Sequence, residues 1–233
     1  MTTAQSSGPG VERLFEAGAH FAHVKSRRHP SMRPYVIGAK ARVEIFDLTR
    51  TDEQIAQAKK AMETLAKEGR TILFLGSKRE IADLVRNAAQ SIHAPYVSTR
   101  WLGGTLSNFP EIKKRIDRLA TLRAQKESGE LAERYTKLER LHLDREMERL
   151  ARRLDGIATL EKRPDALVII DTQHERHAAK EAREAGLPVI GIMSSDCNIK
   201  DATYPIVAND ASRATVSLIL DELVKAFEAG RAA

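Results

Sequence analysis

The sequence predicts an α/β protein: a doubly wound parallel sheet carrying an inserted antiparallel helical hairpin. Three observations point there. Short runs that are apolar on both faces alternate with stretches of helical periodicity, a pattern that calls for a parallel sheet covered on both sides. The alternation lapses between Phe109 and Gly156, where two helical seams follow one another with no strand. No window reaches the roughly 18 to 20 continuous apolar residues that a bilayer span needs.

Each element has its own signal. VEIFDL (Val43–Leu48) reads as a strand, and Ile55, Ala58, Met62 and Leu65 then repeat at helical spacing over Asp52–Glu68. Thr51 or Asp52 is the expected N-cap and Gly69 the stop. TILFLG (Thr71–Gly76) is a second strand, followed by a helix expected from Lys78 to Ser91, and Pro95–Ser98 is a third, shorter strand. DALVIID (Asp165–Asp171), LPVIGIM (Leu187–Met193) and YPIVAN (Tyr204–Asn209) are further strands, with helices expected over His174–Ala185 and Asp210–Ala229. In the insertion, Ile112, Ile116, Leu119 and Leu122 form one seam; Leu143, Met147, Leu150, Leu154 and Ile157 form the other. Such seams suit a zipped antiparallel coiled coil turning near Ser128-Gly129, about 24 Å long at 1.5 Å per residue. The chain divides accordingly into a basic N-terminal extension (1–42), a sheet domain (43–106 and 156–233) and a helical hairpin (107–155).

Charge is unevenly placed. The net is +6, and the four stretches 1–50, 51–99, 100–163 and 164–233 carry +4, +1, +5 and −4. A basic front and an acidic rear suggest one face that meets a polyanion. The sharpest feature is His20–Arg42. Lys25, Arg27, Arg28, Arg33, Lys40 and Arg42 lie there with no acid among them from Lys25 onward. Pro30 and Pro34 keep the stretch out of a regular helix. Phe21, Met32, Tyr35, Val36 and Ile37 offer apolar anchors that a free tail would lack. Lys78 and Arg79, at the expected helix start after Gly76-Ser77, could receive a phosphate, since the free N–H groups and the dipole favour an anion there; an ordinary turn with solvated charges fits the same residues. Arg100 is a further phosphate contact, while Trp101 fits a packing anchor between sheet and insertion.

Several function classes lack their signatures. Neither G-x-G-x-x-G nor G-x-x-x-x-G-K-[ST] occurs, H-E-x-x-H is absent, and no G-x-S-x-G marks a hydrolase serine. No cofactor or metal is expected, and Cys197 is expected to be an inert buried thiol. One cysteine, and a first ten residues without a basic side chain or apolar run, fit a cytoplasmic protein without a secretory signal. A nucleotide- or cofactor-binding α/β enzyme on the same fold is the alternative, since fold alone does not exclude it.

The residues that carry most information are ordered stretches: LFEAGAHFAH, RRHPSMRPYVIGA, VEIFDLTRT, ILFLGSKR, RWLGGTLSNF, RPDALVIIDTQHERHAAKEA, GLPVIGI and ANDASRA. In this order, from Leu14 to Leu223, they resemble the bacterial small-subunit ribosomal protein S2 family. The resemblance implies a flavodoxin-like sheet with a protruding coiled-coil hairpin. It also implies a structural role between head and body of the small subunit, in contact with 16S ribosomal RNA and neighbouring ribosomal proteins, ribosomal protein S1 among them. No catalytic residue is needed for this role. Arg28 and Ser31 stand where the family carries an aromatic residue and a lysine, and MSSDCNIKD departs from the family's loop after the fifth strand.

Overall fold

The computed structural model describes residues 9–232; residues 1–8 and 233, at the outer ends of the expected divisions, lie outside the described residues. Helix α1 (Pro9–Glu16) leads into strand β1 (Phe21–Val24), two 3-10 turns (Lys25–Arg27 and Pro30–Tyr35), and strands β2 (Val36–Lys40) and β3 (Val43–Phe46). Then follow α2 (Leu48–Lys67), β4 (Ile72–Leu75), α3 (Ala82–Ser91), β5 (Tyr96–Val97), α4 (Phe109–Glu127), α5 (Glu130–Arg134) and α6 (Lys137–Leu154). The chain closes with β6 (Ala166–Ile170), α7 (Arg176–Glu184), β7 (Val189–Met193), β8 (Tyr204–Val207) and α8 (Arg213–Ala232).

The main sheet has the order β5-β4-β6-β7-β8 with every pair parallel. Counted within the sheet this is 2-1-3-4-5, the doubly wound order whose direction reverses between β4 and β6. Both faces are dry. Ile72, Phe74, Val168, Ile170, Ile192 and Ile206 pack toward α2, α3 and α8, while Leu73, Leu75, Leu167 and Ile169 pack toward α4, α7 and the end of α6. This two-sided burial is why the strands are uninterrupted apolar runs.

Several boundaries shift for identifiable reasons. Asp47, at the end of β3, accepts a hydrogen bond from the Thr49 N–H at 3.1 Å and caps α2, so the helix starts before the expected Thr51 or Asp52. Gly69, at φ +64°, ends it as expected. Helix α3 begins at Ala82 rather than Lys78, because the residues after β4 are committed to side-chain partners at the sheet's carboxyl edge.

The described part of the expected N-terminal extension, residues 9–42, contributes two strands of its own. β1, β2 and β3 form a second, antiparallel sheet in the order β1-β3-β2, so a boundary at residue 42 falls in a hairpin tip. Ala41 (φ +50°) and Arg42 (φ +69°) both adopt left-handed backbone, the geometry of a two-residue primed turn usually given to Asn-Gly. This sheet sits on the carboxyl edge of the main one through Met32, Phe46, Met193, Cys197 and Val207, all buried. The expected anchors divide: Met32 is buried, Tyr35 and Val36 are half-buried, and Phe21 and Ile37 are exposed.

The insertion also departs from expectation. It holds three helices, and the seam of α4 is not zipped to a lone partner: Ile112, Ile116 and Leu119 join the sheet core with Leu73, Leu75, Leu167 and Ile169. α4 therefore covers the sheet as a crossover helix would, and α6 packs on it with Leu143, Met147 and Leu150 only half-buried. The chain returns to the sheet through Gly156, where a Cβ would lie 2.2 Å from the Tyr96 carbonyl oxygen and 2.8 Å from its ring. Gly156→Ala is expected to destabilise the protein by about 1 to 3 kcal/mol, the usual range for forcing atoms into a packed interior. The midpoint of urea unfolding reads this directly.

Candidate nucleic-acid interface

The expected cations fall into two groups. Lys25, Arg27, Arg33, Lys40, Arg42, Arg79 and Arg100 are exposed, and none is in an ion pair among the described residues. Arg28 and Lys78 are engaged inside the protein. Arg28 Nη1 lies 2.7 Å from Glu44 Oε1, whose side chain is buried; Arg28 neutralises a carboxylate that the small sheet would otherwise bury alone.

The first five exposed cations share one rigid unit. Lys25 and Arg27 sit on the turn after β1, Arg33 on the second turn, and Lys40 and Arg42 at the tip of the β2–β3 hairpin. The segment is tied to the main sheet's edge by backbone as well as by its core. The His29 N–H donates to the Ser195 carbonyl at 2.8 Å, the His23 N–H to Ser195 Oγ at 3.1 Å, and the Ile199 N–H to Ser31 Oγ at 3.1 Å. The charges are thus carried on fixed backbone, which lowers the ordering cost of binding a polyanion. Arg79 and Arg100 leave the carboxyl ends of β4 and β5, at the same end of the main sheet.

Lys78 is ion-paired within the protein. Its ammonium contacts Asp171 and lies 3.5 Å from Asp210, in the crevice between β4 and β6 where doubly wound enzymes hold their ligands. Burial works against the charge of Lys78, but the carboxylates of Asp210 and Asp171 more than offset it and hold its pKa above the ordinary value. Burial, and then the charge of Asp171, push Asp210 up to about 7, with Lys78 opposing. Asp171 is held below its ordinary range although burial opposes this; Lys78 and the His174 N–H, at 2.9 Å, stabilise its charge. Cys197 is buried 3.6 Å from Asp171, and burial raises its thiol pKa, followed by the Asp171 and Asp210 charges. It is inert as a nucleophile. Asp171, Cys197 and Asp210 could together offer three metal-ligand atoms within 4.8 Å of one another, yet Lys78 already supplies a cation there.

The same crevice lacks a phosphate cradle. The Ser77 N–H, which a phosphate would need, donates to Glu175 Oε1 at 2.9 Å, and His174 Nε2 lies 3.2 Å from Ser77 Oγ. A fixed carboxylate stands where an anionic ligand would go. Nearby, Glu181 organises the chain after β5: it accepts from the Gly104 N–H at 2.9 Å, the Leu106 N–H at 3.2 Å and Trp101 Nε1 at 3.4 Å. Trp101 packs with Leu106 and Ile112 as an anchor between sheet and insertion. The sequence marked Gly103-Gly104 as a reversal but held no sign of Glu181, 77 residues away.

Exposed, anchored cations thus stand near a crevice whose Ser77 N–H, Lys78 and Asp171 are committed to partners within the chain, beside an open cleft of about 780 Å³ lined by Ser77, Arg100, His174 and Glu175. Comparison with known proteins decides the family. The model of ribosomal protein S2 matches residues 14–230. The small ribosomal subunit protein uS2 of Mesorhizobium japonicum is 42% identical over 217 residues, 93% of this chain and 82% of that one. The small ribosomal subunit protein uS2c of Rhodomonas salina is 38% identical over 93% of this chain and 89% of its own. The uS2 of a Picosynechococcus strain is 38% identical over 94% and 85%.

The chain belongs to the ribosomal protein S2 family. That family is one of ribosomal structural components rather than of enzymes. Of the cations expected at the interface of this S2-family member, Arg28 and Lys78 are ion-paired within the protein. Among the described residues no helix is long and apolar enough to cross a membrane.

Proposed function

We propose that this S2-family chain is a structural constituent of the small ribosomal subunit, placed between head and body, where it binds 16S ribosomal RNA and neighbouring ribosomal proteins. The observation that carries the RNA reading is the anchored array Lys25, Arg27, Arg33, Lys40 and Arg42, exposed and free of ion pairs among the described residues. Exchange of phosphate contacts for counterions supplies the affinity; Arg79 and Arg100 extend the array along the same end of the main sheet. Arg28 and Lys78 are ion-paired within the fold and lend the array less free charge than the other seven. Phe21 and Ile37, 48% and 68% exposed, are apolar surface on the same small sheet, which phosphates would leave uncovered and which suits a protein neighbour.

Co-sedimentation tests the reading. The wild-type protein is expected to run with small subunits in a lysate gradient, and the variant Arg27→Ala/Arg33→Ala/Lys40→Ala/Arg42→Ala to be depleted from them. Equal incorporation of both would contradict it.

A further inference from the structure

The segments that leave β6, β7 and β8 bring three ligand-bearing side chains to one point. Asp171 follows β6 directly, Cys197 lies in the loop after β7, and Asp210 in the loop after β8. All three are buried, and each places a ligand atom within 4.8 Å of the other two. This point is short of partners. Neither oxygen of Asp210, a residue 1% exposed, accepts a hydrogen bond among the described residues. Thr172, 0% exposed and beside the Cys197 thiol, likewise has an Oγ1 with no partner among them. Buried polar groups left alone in this way are rare in folded proteins.

Charge is short as well. Lys78 brings one positive charge to two carboxylates. A divalent ion that displaces the thiol proton restores the balance, since its two charges and that of Lys78 match the two carboxylates and the thiolate. Spacing and donor type name the ion. Tetrahedral zinc holds sulfur at about 2.3 Å and carboxylate oxygen at about 2.0 to 2.2 Å, which sets two such ligand atoms about 3.5 to 3.7 Å apart. Cys197 Sγ lies 3.6 Å from Asp171 Oδ1. The Gln173 and His174 N–H groups donate to that same oxygen at 3.0 and 2.9 Å, the outer support that orients ligating carboxylates. A thiolate beside carboxylates suits zinc, whereas magnesium and calcium take oxygen throughout.

We infer that Asp171, Cys197 and Asp210 bind one zinc ion, with a water held by Thr172 in the fourth position. Lys78, whose side chain is 24% exposed, shifts its ammonium toward solvent to admit the ion. The thiol comes from the loop MSSDCNIKD, in which this chain departs from its family. Zinc there fastens three strand ends to one another beneath the N-terminal sheet. Cys197 packs with Met32 and Phe46 of that sheet, and Ser195, two residues before it, anchors His23 and His29. The ion thus stiffens the edge on which the exposed cations are mounted. The inference does not depend on the ribosomal reading.

Cobalt(II) titrated into the full chain, stripped of metal beforehand, tests this. Cys197 is the only cysteine, so a thiolate-to-cobalt charge-transfer band in the near ultraviolet reports this site alone. The band is expected to appear with one cobalt per chain and to vanish when zinc is added. Zinc at about 100 times its Kd is expected to raise the thermal unfolding midpoint by about 5 to 11 °C. Cys197→Ser, checked for folding by circular dichroism without metal, is expected to lose the band and to bind zinc about tenfold more weakly or worse. Lys78→Met removes the competing cation and is expected to bind zinc more tightly than the wild type. Absence of the band from the wild type would overturn the inference, whatever the variants do. An equal zinc-induced rise in Cys197→Ser would also overturn it, by placing the ion elsewhere, as would weaker zinc binding by folded Lys78→Met.

Discussion

Replacing residues 107–154 by a short linker is expected to unfold the whole protein, not to trim an arm from an intact domain. α4 lies on the main sheet, and its Ile112, Ile116 and Leu119, with Leu154 of α6, are at most 3% exposed in a cluster shared with β4 and β6. At roughly 1.5 to 3 kcal/mol for each fully buried large aliphatic side chain, their removal costs about 6 to 12 kcal/mol. That is comparable to the whole stability of a typical domain, about 5 to 15 kcal/mol. Leu73, Leu75, Leu167 and Ile169 would in addition be exposed on one sheet face. Thermal unfolding followed by circular dichroism should show no cooperative transition for the shortened chain. A sharp transition with native-like ellipticity would mean that the sheet keeps its own core without α4.

Lys78→Met is the second change with a large expected effect. It would leave the Asp171 and Asp210 carboxylates, 5% and 1% exposed, facing each other without their cation. Removing one partner of a buried ionic group costs about 3 to 5 kcal/mol. The sign of its pH dependence follows from the carboxylates. In the wild type, Asp210 has a folded-state pKa raised to about 7, so the stability linked to its proton is full below the unfolded value and is lost as pH rises through 7. Asp171 behaves oppositely: its lowered pKa contributes stability above the unfolded value that is lost in acid. Without Lys78, both carboxyls shift upward. The variant's deficit should therefore be greatest near pH 8 and should shrink toward pH 5. A deficit that grows on acidification would show that Lys78 is not the counter-ion of this pair. Because Lys78 is already ion-paired here, the variant's salt slope for RNA should match the wild type's wherever it is folded.

The legible part of the fold was what periodicity controls. Strands such as ILFL and ALVII are buried on both faces and so read as unbroken apolar runs, and their alternation with helices fixed the doubly wound class. What depended on long-range partners was not legible. Lys78 looks like a phosphate ligand beside Gly76-Ser77 because its partners, Asp171 and Asp210, are 93 and 132 residues away in the sequence. The small β1-β3-β2 sheet was hidden because its turn is Ala41-Arg42, a pair with no preference for the left-handed backbone it adopts. The seam of α4 was visible, but a stripe of Ile112, Ile116 and Leu119 is the same whether it faces a helix or a sheet.

The central claim is that fixed cations of the N-terminal sheet grip phosphates. Its most direct test is the salt dependence of binding to a 16S ribosomal RNA transcript for the wild type and for Arg27→Ala/Arg33→Ala/Lys40→Ala/Arg42→Ala. The account predicts a steep logarithmic slope for the wild type and one shallower by about 3 to 4 for the variant, close to one unit for each of the four contacts removed. Parallel slopes for the two proteins, both folded, would contradict it.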